Sequence, residues 1–100
     1  MKTGIELIAA ERQKQIDKHG FTGAHHVDHP EWYDNFQLQY AATTLLMHEF
    51  EEVVDTVNHL PDGWDQEWFD DLNARQRKER LIIAGALIAA ELDRLQTLEK

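Results

Sequence analysis

Leu81-Ile82-Ile83-Ala84-Gly85-Ala86-Leu87-Ile88-Ala89-Ala90 is the stretch whose reading decides the fold. It has no charged or hydrogen-bonding side chain, and it is far shorter than the roughly 20 residues needed to span a bilayer. A segment apolar on every side is normally the central helix of a bundle, covered by its neighbours. Gly85, Ala86, Ala89 and Ala90 would let those neighbours approach closely. Working outward, the helix is predicted from about Ala74 to Leu98, with Asn73 as a possible N-cap and a basic opening in Arg75, Arg77, Lys78 and Arg80.

Two further long helices are expected. The first runs from about Gly4 to Lys18, where Thr3 and Glu6 form a capping-box pattern and Gly20 a C-terminal stop. Its apolar face, Ile5, Ile8, Ala9, Arg12 and Ile16, is narrow. The second is predicted from about Asn35 to His59, opened by a capping box of Asp34 and Gln37. It carries one stripe at Leu38, Ala41, Ala42 and Leu45 and another at Met47, Phe50, Val53, Val54 and Val57, so it needs two packing partners. Phe21 to Tyr33 reads as a loop rich in histidine, and loops of that length are usually functional. Leu60 to Asp71 reads as a connection. Its Pro61-Asp62-Gly63 signals a turn, and its Trp64, Trp68 and Phe69 would cap the bundle or wall a pocket.

The expected architecture is all-α: a single domain, residues 1–100, forming a three-helix antiparallel bundle. So thin a bundle would complete its core by homodimerisation. The chain has no cysteine and no visible signal peptide, which fits a cytoplasmic protein without disulfides or thiolate metal sites. A net charge of −9 argues against bulk nucleic-acid binding. It does not exclude a small phosphate ligand bridged by a divalent cation.

Several groups of residues are candidates for chemistry. Glu49 and Glu52 are three apart and adjacent on a helix surface; Glu67 and Asp70 repeat that spacing. Paired carboxylates of this kind can hold Mg²⁺, and the plain alternative is a charged face turned to water. Glu91 continues the stripe of Leu87 and Ile88, so its burial would demand a partner. That partner is either a basic residue such as Arg12 or a metal shared with Glu11. His25, Asp28 and His29 form a second candidate metal group, through imidazole and carboxylate; an exposed, metal-free loop cluster is the alternative. Arg75 and Lys78 are the candidate phosphate contacts.

The closing helix, Ala84-Gly85-Ala86-Leu87-Ile88-Ala89-Ala90-Glu91-Leu92-Asp93-Arg94-Leu95, resembles that of a family of small phage and prophage proteins sometimes described as MazG-like. Ile8-Ala9-Ala10-Glu11-Arg12-Gln13-Lys14-Gln15, the stretch Thr22 to His29 and the Trp-rich Trp64 to Phe69 are similar to that family in the same order. In the family the second helix typically opens Gly-Glu-Leu before an Ala-Ala pair. Here the matching stretch is Phe36-Gln37-Leu38 before Ala41-Ala42, so Gln37 stands where a glutamate would be. The resemblance implies a Mg²⁺-dependent nucleoside triphosphate pyrophosphohydrolase acting as a dimer, with Glu49 and Glu52 as family-style ligands. An amide at residue 37 is a poorer ligand for a hard cation than a carboxylate, which implies weakened metal binding. The competing expectation is a non-catalytic helical protein that binds a protein partner through its apolar surface.

Overall fold

The computed structural model describes residues 1–50 and 60–99, and these are helical without a strand. Helix α1 (Gly4–His19) begins as expected. The Thr3 hydroxyl accepts from the Glu6 amide at 3.2 Å, and the Glu6 carboxylate accepts from the Thr3 amide at 2.9 Å. These bonds hold the Glu6 carboxyl below its ordinary range. Gly20 closes the helix in the left-handed region at φ 67°, a conformation that suits glycine.

The expected loop is in fact two short helices, α2 (Gly23–Asp28) and α3 (Pro30–Tyr33). Both start on local signals. The Thr22 hydroxyl accepts from the His25 amide at 3.1 Å, and Pro30 occupies the first helical position, where it has no amide to lose.

Helix α4 (Gln37–Leu46) buries the first of the two expected stripes, Leu38, Ala41, Ala42 and Leu45. It is shorter than predicted. Thr43 and Thr44 turn their hydroxyls back onto the Gln39 and Tyr40 carbonyls, a bonding pattern that loosens a helix. A 3₁₀ turn at Met47–Glu49 and a non-helical, exposed Phe50 follow. Val53, Val54 and Val57 of the second stripe lie outside the described residues. The expected capping box does not form either. Asp34 closes α3, and the residue before α4 is Phe36 at φ 61°.

The aromatic connection contains helix α5 (Gln66–Asn73), capped by the Asp65 carboxylate at 2.8 Å from the Trp68 amide. Asn73 ends this helix instead of opening the next one. Helix α6 (Arg77–Leu98) therefore starts three residues later than predicted, with Gln76 as its N-cap.

Helix α6 is the centre of the packing, as its apolar run required. Helix α4 lies antiparallel along it: Asp34, before α4, meets Arg94 at 3.5 Å, and Glu49, after α4, meets Arg80. Helix α1 lies along it in the same direction, with Ile8 over Gly85 and Arg12 on Asp93. A β-carbon on Gly85 would sit 2.6 Å from the Ile8 side chain, so glycine permits this approach. Helix α2 crosses near the end of α6, where a β-carbon on Gly23 would come within 2.6 Å of the Asp93 carbonyl oxygen. The core joins Leu38, Ala41 and Leu45 of α4, Phe69 and Leu72 of α5, and Ile83, Ala84, Leu87 and Ala90 of α6. Among the described residues, α1 and α4 both pack on α6 but make no comparable contact with each other. A groove is left between them.

Candidate functional site

The groove holds a cavity of about 370 Å³. Its floor is α6, through Ile83, Leu87 and Ala90, with Leu38 of α4 and Leu72 of α5. Its walls are aromatic: Phe21, Trp32, Tyr33, Trp64 and Trp68. The turn at Gly63 brings two of these walls together. Trp64 donates from its indole nitrogen to the Trp32 carbonyl at 2.8 Å, and Gly63 (φ 82°) lies against the Trp32 ring, where a β-carbon would come within 3.0 Å. Trp64 then meets Trp68 with ring centroids 5.5 Å apart. Trp32 and Trp68 are each 38% exposed, so both also meet solvent.

One end of the cavity is polar without being charged. His26 is 1% exposed and 4.0 Å from the Tyr33 ring, and its Nδ1 lies within hydrogen-bond distance of His25 Nδ1 at 3.2 Å. Burial, followed by the positive charges of Arg12, His25 and Arg94, pushes the His26 pKa down to about 3. Burial, assisted by Glu31, pushes the Tyr33 phenol up to about 12. Both groups are therefore neutral at pH 7. Charge enters at the rim, with Glu11 and Lys14 from α1, Asp65, and Arg75.

The expected site residues are distributed unequally around this cavity. Glu11 lines it, 4.0 Å from Lys14. Arg75 lines it too, but its guanidinium is already held by Asp71 at 3.1 Å and Glu79 at 3.4 Å. Lys78 is exposed at the start of α6 and is not part of the lining. Glu49 pairs with Arg80 near one end of α6. Glu91 is held bidentate by Arg94 at 2.7 and 2.9 Å near the other. Fourteen residues separate Arg80 from Arg94, which is about 21 Å of helix, so Glu49 and Glu91 do not share a site. The basic partner expected for Glu91 exists, but it is Arg94 on its own helix. Arg12 instead reaches Asp93 Oδ2, through Nε at 2.9 Å with hydrogen-bond geometry and Nη2 at 2.8 Å as a charge contact. Glu52 lies outside the described residues.

The histidine group is arranged as a stack of rings. His25 and His29 lie 4.6 Å apart, His29 stacks on Trp32 at 4.4 Å, and His29 Nδ1 meets Glu31 at 3.0 Å. Partial burial, with the neighbouring charge of His29, lowers the His25 pKa. Asp28 is exposed. Among the described residues, no three histidine, aspartate or glutamate side chains gather as they would to hold a metal ion. The described residues alone do not assemble the carboxylate group that the resemblance implies for magnesium.

The aromatic walls were only partly foreseen. Trp64 and Trp68 do wall a pocket, whereas Phe69, expected beside them, is 1% exposed and belongs to the core. Phe21, Trp32, Tyr33 and His26 come from a segment read as a loop. The signals that would have placed them were Thr22 and Pro30, both of which start helices.

The chain matches no family model, no curated protein and no solved structure. Among the described residues, no helix is long and apolar enough to cross a membrane.

Proposed function

We propose that this protein binds a nucleotide in the groove between α1 and α4, with the base between the aromatic walls and the phosphates at the rim. The observation that carries this reading is the cavity itself. Its volume of about 370 Å³ falls in the range of small-molecule sites, and its apolar floor and five aromatic walls suit a planar ring. Stacking a base on an aromatic side chain is worth about 1–3 kcal/mol. Lys14 and Arg75 supply positive charge at the mouth. Glu11 and Asp65 stand beside them in a chain of net charge −9, so a triphosphate would enter best with its charge reduced by Mg²⁺. Pyrophosphohydrolase activity, which the MazG-like resemblance implies, is a further step of the same proposal.

The test is titration of the full chain with nucleosides and nucleoside triphosphates, with and without Mg²⁺, followed by tryptophan fluorescence and calorimetry. Saturable quenching is expected for the triphosphates, with weaker binding of the nucleosides. Trp68→Ala should weaken binding at least about fivefold, the lower end of one stacking contact. Absence of saturation by any nucleoside or nucleotide at millimolar concentration would overturn the assignment. Pyrophosphate release in the same samples separates binding from hydrolysis.

A further inference from the structure

Helix α6 has a second apolar face that the described residues leave largely exposed. Leu81, Gly85, Ile88, Leu92 and Leu95 follow one another at spacings of four, three, four and three residues. At about 100° per residue they form one stripe along the helix, on the side opposite the buried Ile83, Ala90 and Arg94. Gly85 is covered by Ile8 of α1. The others are exposed, Leu81 by 38%, Ile88 by 45%, Leu92 by 56% and Leu95 by 40%. Ile5, three residues before Ile8, is 83% exposed.

We infer that this stripe is the seam of a two-fold dimer in which α6 of one protomer packs antiparallel against α6 of a second copy. A spacing of four and three is the repeat with which one helix packs against another of like pattern. The composition also suits a second copy: Leu81, Ile88, Leu92 and Leu95, with Ile5 of α1, are exposed aliphatic residues of the kind that form the apolar core of a homodimer interface. Charge sets the direction. The stripe continues to Lys78 at its start and Glu99 at its end, both exposed. A parallel pair would set Lys78 against Lys78 and Glu99 against Glu99, whereas an antiparallel pair sets each lysine toward the partner's acidic end.

Sedimentation velocity of the full chain from 1 to 100 µM tests the inference. The expected species has twice the 11.7 kDa chain mass. Leu92→Glu, at an exposed position, should weaken association at least 100-fold with the helical circular dichroism unchanged. Lys78→Glu should weaken it several-fold, and adding Glu99→Lys should restore it. A wild-type chain that is monomeric at 100 µM, or a dimer indifferent to Leu92→Glu, overturns the seam. A dimer indifferent to Lys78→Glu overturns the antiparallel arrangement.

Discussion

Lowering the pH from 7 to 5 should destabilise this protein by about 2 kcal/mol through His26 alone. In the folded chain burial and two nearby arginines hold the His26 pKa near 3. In the unfolded chain it returns to about 6.5. Between those values the unfolded state binds a proton that the folded state refuses, so stability is present above pH 6.5 and falls as the pH falls through this window. Each pH unit well inside the window costs about 1.36 kcal/mol, which brings the loss at pH 5 to about 2 kcal/mol. For a domain of this size that is a large part of the whole.

The assay is urea unfolding followed by circular dichroism at pH 7 and pH 5, in the wild type and in His26→Phe. Phenylalanine keeps a planar ring beside Tyr33 and Phe21 and cannot take up a proton. The variant loses the bond to His25 and so starts less stable at pH 7, but its drop between pH 7 and pH 5 should be smaller than that of the wild type by about 2 kcal/mol. An equal drop in both proteins would refute the reasoning. So would a His26 ring-proton titration, followed by nuclear magnetic resonance, with a midpoint above 6.

Two further outcomes follow from α4. Gln37→Glu should destabilise by about 2–3 kcal/mol in urea unfolding, because the buried amide donates to the Glu31 and Asp62 carbonyls at 3.2 and 3.3 Å and a carboxylate would meet both oxygens without a proton; equal stability at pH 7 would show that the amide is dispensable. Phe36→Gly should stabilise by about 0.5–1 kcal/mol, since Phe36 is held at φ 61° and is mostly exposed, and a lower melting temperature would show that its ring contributes more than its backbone costs.

The most legible part of the fold was α6. An uninterrupted apolar run can only be satisfied by neighbours on several sides, and α1, α2 and α4 supply them. The cap of α1 was equally legible, because Thr3 and Glu6 bond within one turn and need nothing else. What failed depends on contacts distant in sequence. Gln37 looked like half of a capping box and like a lost metal ligand. Its carbonyl oxygen accepts from the Asn35 amide at 2.6 Å, while its amide ties the turn before α4 to Asp62, across residues that no local pattern connects. Glu91 was expected to pair with Arg12 or another basic residue across the bundle, or to share a metal with Glu11. Arg94, three residues on, was the local choice, and Arg12 was taken by Asp93 instead. The cavity was the least legible feature, because its walls come from three separate stretches of chain joined only by folding.

The same physical fact underlies both the cavity and the proposed seam. A helix apolar all round offers more surface than two neighbours can cover. Helices α4 and α1 each take one sector of α6, and the space between them is walled by aromatic rings from Phe21, Trp32, Tyr33, Trp64 and Trp68. That spacing opens the groove on one side and leaves the stripe bare on the other. The two surfaces share no residue: the groove uses Ile83, Leu87 and Ala90 of α6, and the stripe uses Leu81, Ile88, Leu92 and Leu95. Trp68→Ala should therefore weaken ligand binding without changing the sedimentation of the protein, and Leu92→Glu should weaken self-association without changing ligand binding. A variant that moved both readouts would mean that the groove is completed by the second copy, with ligand and partner coupled through the helix they share.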